Sequence, residues 1–70
     1  MPHPTLPEHL PITVEARDET GRIVELIARC ANVTVARGAF EAARTCRQGV
    51  EIMIRDRSRV IAAEFLPVAR

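Results

Sequence analysis

Residues 12–30 read ITVEARDETGRIVELIARC. Ile12, Val14 and Ala16 alternate with Thr13, Glu15 and Arg17, which is the period of a strand with one buried face. Asp18-Glu19-Thr20-Gly21 follows as a turn, with Gly21 free to take a positive φ. A second strand then runs from Arg22 to Cys30. Strict alternation gives Val24, Leu26, Ala28 and Cys30 one face, and Ile23, Glu25, Ile27 and Arg29 the other. Two alternating segments around a short polar turn specify a β-hairpin.

Downstream of the hairpin the period changes. Asn32 or Thr34 can cap a helix by accepting from exposed backbone N–H groups. Val35, Ala36, Ala39, Phe40 and Ala43 recur at helical spacing, opposite Arg37, Glu41, Arg44 and Gln48, and predict a helix over about 33–48. Gly49 ends it. Gly38 within it either permits a close approach to the sheet or is tolerated at up to about 1 kcal/mol relative to Ala. Val50–Ile54 returns to strand period. Arg55-Asp56-Arg57-Ser58-Arg59 is polar, then Val60–Phe65 is again strand-like. The polar stretch is a hairpin turn or the exposed middle of one long strand. The turn is adopted, because a bend lets the last apolar run pair with its neighbour, although no Gly or Pro marks it.

The reading is therefore an α+β fold in ββαββ order, with a short fourth strand. One antiparallel sheet is covered on one face by a single helix. The domain spans residues 12–66. Residues 1–11 hold four prolines, each of which removes a backbone donor, so they read as a flexible tail; residues 67–70 read as a flexible C-terminus. The expected inward set is Val24, Leu26, Ala28, Val35, Ala39, Phe40, Ala43, Ile52 and Ile54.

Seventy residues make one domain. With no Trp or Tyr and only Phe40 and Phe65 as aromatics, the core must be thin, and a core of this size supplies about 3–5 kcal/mol. The net charge of +1 gives no field toward nucleic acid or membrane. All ten basic residues are arginine, as GC-rich coding or selection for bidentate anion contacts would produce. No segment has the apolar length of a membrane span, and the start lacks a signal peptide's basic and apolar regions. The expected location is cytoplasmic, where the two cysteines stay reduced. The helix also separates Cys30 from Cys46 by roughly 18 Å, too far for a bridge.

No constellation for catalysis stands out. His3 and His9 lie in the proline-rich segment without metal-ligand spacing, so no metal or cofactor is expected. Glu15, Glu25 and Glu51 alternate with Arg17, Arg29 and Arg55, the pattern of cross-strand charge pairs. Arg55, Arg57 and Arg59 form the best cationic cluster, either a solvated turn or a grip on nucleic-acid phosphates. A helix covers one sheet face only, so Ile23, Ile27 and Met53 should form the open face.

The runs Ala28-Arg29-Cys30-Ala31-Asn32, Val35-Ala36-Arg37-Gly38-Ala39-Phe40-Glu41-Ala42-Ala43 and Arg59-Val60-Ile61 resemble small hypothetical proteins of GC-rich proteobacteria. That group implies no activity. The hairpin before an alanine-rich helix is also similar to the ββα start of HicB-type antitoxins, in topology alone. The expected function is a non-enzymatic protein-interaction module, a homodimer through the open sheet face. The alternative is a nucleic-acid-binding or HicB-antitoxin-like regulator using the arginine cluster.

Overall fold

The computed structural model describes residues 10–68. Residues 1–9 of the proline-rich segment, and 69 and 70 at the other end, lie outside the described residues. The elements are β1 (Ile12–Arg17), β2 (Ile23–Cys30), α1 (Val33–Arg44), β3 (Val50–Asp56) and β4 (Arg59–Leu66). They form one four-stranded antiparallel sheet in the order β2-β1-β3-β4, with the helix over β2, β1 and β3. The ββαββ reading holds, and its two hairpins are joined through their first strands.

The central position of β1 follows from its composition. Ile12, Val14 and Ala16 face the helix and are buried, together with Ile52 and Ile54 of β3. Ala36, Phe40 and Ala43 meet them from α1, at the i, i+4, i+7 spacing of one helix face. Small alanines let the helix approach, and Phe40 fills the space between them. Val35 was expected inward but is exposed; Ala36 takes that position, because the 36–40–43 stripe sets the helix rotation.

Asn32 is the helix cap, its side chain accepting from the Val35 N–H at 2.9 Å. The helix ends at Arg44, earlier than expected, and Gly49 acts elsewhere. Its φ of +74° turns the chain into β3, and its N–H donates to the Leu66 carbonyl. A Cβ added at Gly38 would meet nothing within 4 Å, so no close approach explains that glycine.

Residues 57 and 58 are the β3–β4 turn. Arg57 adopts φ 56° there, a conformation uncommon outside glycine. Its N–H donates to the Pro11 carbonyl, which ties this turn to the chain just before β1. The fourth strand has eight residues, longer than the sequence suggested.

β2 departs from strict alternation at two places. Ala28 opposes Val14 and Leu26 opposes Glu15, which leaves Ile27 as an extra residue. Glu25 opposes Ala16 and Ile23 opposes Arg17, which leaves Val24 as another. Each β-bulge shifts the alternation by one residue. Leu26 therefore turns to the open face, while Ile27 packs against the core and Glu25 lies on the helix side. The expectation that Ile27 faces outward and Leu26 inward is reversed for this reason. Val24, expected inward, borders Ala16, Glu25 and Arg47 on the helix side but is exposed at the sheet edge.

Candidate interaction face

The open face is organised around one acid. Glu15 sits on a central strand with Leu26 and Met53 beside it in register, and Thr13 and Arg17 before and after it on the same face. Its residue exposure is 1% although no element covers it. The arginines do the covering. Arg55 Nη2 donates to Oε2 at 2.7 Å, and the Thr13 hydroxyl donates to the same oxygen at 2.9 Å. Arg17 Nη2 and Nε donate to Oε1 at 3.0 and 3.3 Å. Long side chains lie flat over the sheet and keep part of each guanidinium in water.

Burial raises the cost of charging Glu15, but the hydrogen bonds from Arg55, Arg17 and Thr13 outweigh it and hold the carboxyl below its ordinary range. Glu15 is therefore ionised and saturated, which suits a structural anchor better than a general base. Two guanidinium groups share one carboxylate, and the buried Arg55 Nε has no partner.

Apolar side chains surround this anchor. Ile23 and Leu26 on β2, and Val60 and Phe65 on β4, stand on the open face with 45–59% exposure. Met53 is half-buried between them. Ile23 and Met53 were expected here; Ile27 was too, and it lies on the opposite side. Leu26, Val60 and Phe65 complete the face, and the phase shifts that expose Leu26 leave no mark in composition.

The expected arginine cluster divides. Arg55 and Arg57 line a cleft of about 460 Å³ with Arg29, Thr13, Glu15, Ile23 and Leu26. Arg59 does not line it. It opposes Asp56, which opposes the buried Ile12, so Arg59 starts on the helix side. Arg29 replaces it in the cleft, because Arg29 and Arg55 both oppose Thr13, from either flank.

The other charges fasten the helix. Arg47 meets Glu25 on β2 at 2.7 and 2.8 Å, and Arg44 meets Glu64 on β4 at 2.9 Å. These pairs tie the chain at the helix C-terminal end to both edge strands. The hydrogen bonds from Arg47 lower the Glu25 pKa. Both thiols are free: Cys30 is buried, which pushes its pKa up, and Cys46 is exposed. Among the described residues no group of three or more His, Cys, Asp or Glu is placed to hold a metal ion, and no helix is long and apolar enough to cross a membrane. No family model, curated protein or solved structure matches this chain.

Proposed function

We propose that this protein is a non-enzymatic interaction module whose open sheet face receives a second copy of the chain. The observation that carries this reading is the face itself: Ile23, Leu26, Val60 and Phe65 are exposed around a buried, fully hydrogen-bonded Glu15. A sheet face left to water alternates polar residues outward. Here four large apolar side chains stand exposed on the two edge strands, Ile23 and Leu26 on β2 and Val60 and Phe65 on β4, with Met53 between them, and exposed apolar surface marks contact sites. The only carboxylate at the centre is already neutralised, so covering it leaves no bare charge in an interface.

A second copy fits the dimensions. Two sheets pack face to face about 10 Å apart. Four strands of this length would bury on the order of 1,000 Å² in total, the low end for specific association. A weak, concentration-dependent homodimer is the form this takes.

Sedimentation velocity between about 5 and about 500 μM, where association of several kcal/mol registers, tests it. The wild type should move from monomer to dimer, and Leu26→Glu should stay monomeric. A wild type that is monomeric throughout ends this reading, and so does a dimer indifferent to Leu26→Glu.

A further inference from the structure

We infer that the arginine cleft on the open face is a binding site for a small organic phosphate, a phosphate monoester carried on a short aliphatic body. The site shares Ile23 and Leu26 with the surface proposed above for a second copy, but one chain alone supplies all of it.

The cleft is built from three arginines that the fold brings in from different elements. Arg29 on β2 and Arg55 on β3 oppose Thr13 on the strand between them. Neighbouring strands lie about 4.8 Å apart, so these two backbones stand about 10 Å from each other. Two long side chains at that spacing can close on one oxyanion from either flank. Arg57 joins them from the β3–β4 turn, where its φ of 56° and the bond from its N–H to the Pro11 carbonyl set its position. Arg55 is fixed as well, by its 2.7 Å bond to Glu15. Donors held in place before a ligand arrives lower the cost of ordering the site.

Charge selects the ligand. Glu15 is the only acid among the residues lining the cleft, and Arg17 binds its other oxygen. Among the described residues, the side chains of Arg29 and Arg57 have no hydrogen bond or ion pair. Three guanidinium groups set against one carboxylate leave two positive charges, in a chain whose net charge is +1. A carboxylate ligand supplies one negative charge. A phosphate monoester supplies about −1.5 to −2 at pH 7, with three strong acceptor oxygens. That matches both the surplus charge and the forked donors of Arg29 and Arg57.

The rest of the cleft is aliphatic, with Leu10, Pro11, Ile23 and Leu26 beside the arginines. No aromatic ring lines it, so a nucleic-acid base finds nothing there to stack on. Its volume of about 460 Å³ falls among those of small-molecule sites, roughly 300–1,000 Å³. These walls suit a short hydrocarbon, and the arginines suit its phosphate.

Hexyl phosphate is the probe, with inorganic phosphate and hexanoate standing for its two halves. A fluorophore on the exposed Cys46, which does not line the cleft, reports binding by thermophoresis. At about 50 nM protein a weak dimer is dissociated, so the result does not depend on self-association. Hexyl phosphate should bind with a Kd of about 100 μM or tighter, and each half at least about tenfold more weakly. The double variant Arg29→Gln with Arg57→Asn should bind hexyl phosphate at least about tenfold more weakly. It should melt close to wild type, because neither side chain has a partner to lose and asparagine tolerates a positive φ. Arg22→Gln with Arg37→Gln removes the same charge from exposed positions outside the cleft and should leave binding unchanged. The site is overturned by a hexyl phosphate Kd above about 1 mM, by either half binding as tightly as the whole, by an unaffected cleft variant, or by an equal loss in the control. A single strand of about ten nucleotides that binds more tightly than hexyl phosphate assigns the arginines to a nucleic-acid backbone and overturns it too. The homodimer, read by sedimentation, stands or falls separately.

Discussion

The two faces of the same central strands are buried by different physics. On the helix side, Ile12, Val14, Ala16, Ile52 and Ile54 exclude water with Ala36, Phe40 and Ala43. On the open side, Thr13 and Glu15 reach similar burial with no element above them. Their water is displaced by arginine side chains and replaced by four hydrogen bonds to one carboxylate, from Thr13, Arg17 and Arg55. The apolar face tolerates small losses of shape. The polar one depends on complete pairing, because a buried charge that loses its partner is costly.

The largest break is on the apolar side. Phe40→Ala should cost about 3–5 kcal/mol, close to the whole stability of a domain this size. A thermal melt should lose its cooperative transition near room temperature. A melt near the wild-type Tm would mean that Phe40 is not the centre of the layer.

Glu15→Gln probes the polar side and should cost about 2 kcal/mol, the scale of hydrogen bonds to a charged group. Arg17 and Arg55 remain partly exposed and turn to water, which keeps the loss below that of a sealed ion pair. The pH dependence has a definite sign. The folded-state pKa of Glu15 lies below the ordinary 4.5, so its contribution is complete above the unfolded value and lost as pH falls through the folded one. Urea titrations of both proteins should differ by a constant amount from about pH 7 to about pH 5.5, then converge below about pH 4.5. Asp18 and Glu25 are lowered as well, and the difference between the two proteins isolates Glu15. A gap unchanged down to pH 3 would contradict the ionised anchor.

The sequence made the hairpin, the helix and the element order legible, because each rests on local period and turn chemistry. Ile12, Val14 and Ala16 needed nothing beyond alternation. The strand order was not local. Glu15 reads as an ordinary outward glutamate until β1 is known to lie between β2 and β3, where residues of both neighbours close over it. The polar Arg55–Arg59 run showed a turn, but only the register reveals that Arg55 and Arg59 start on opposite faces.

The bulges in β2 give the finest comparison, between adjacent residues. Regular alternation would bury Leu26 and expose Ile27; the register does the reverse. A bulge is a backbone event that hydrophobic side chains at both positions cannot announce, since Val24-Glu25-Leu26-Ile27 offers an apolar residue for either phase. Ile27→Ala removes methyl groups that touch the core, and partial burial places its cost at about 1–2 kcal/mol, below the range for a sealed site. Leu26→Ala removes groups that face water in the monomer, so it should stay within about 0.5 kcal/mol. Chemical denaturation at about 5 μM, the lower end of the range in which association registers, measures both on the monomer. In sedimentation the order should invert, with Leu26→Ala weakening self-association and Ile27→Ala leaving it unchanged. Equal costs in denaturation would mean that β2 keeps a regular register. Leu26 would then belong to the core, and the open face would lose the residue that joins Ile23 to Glu15.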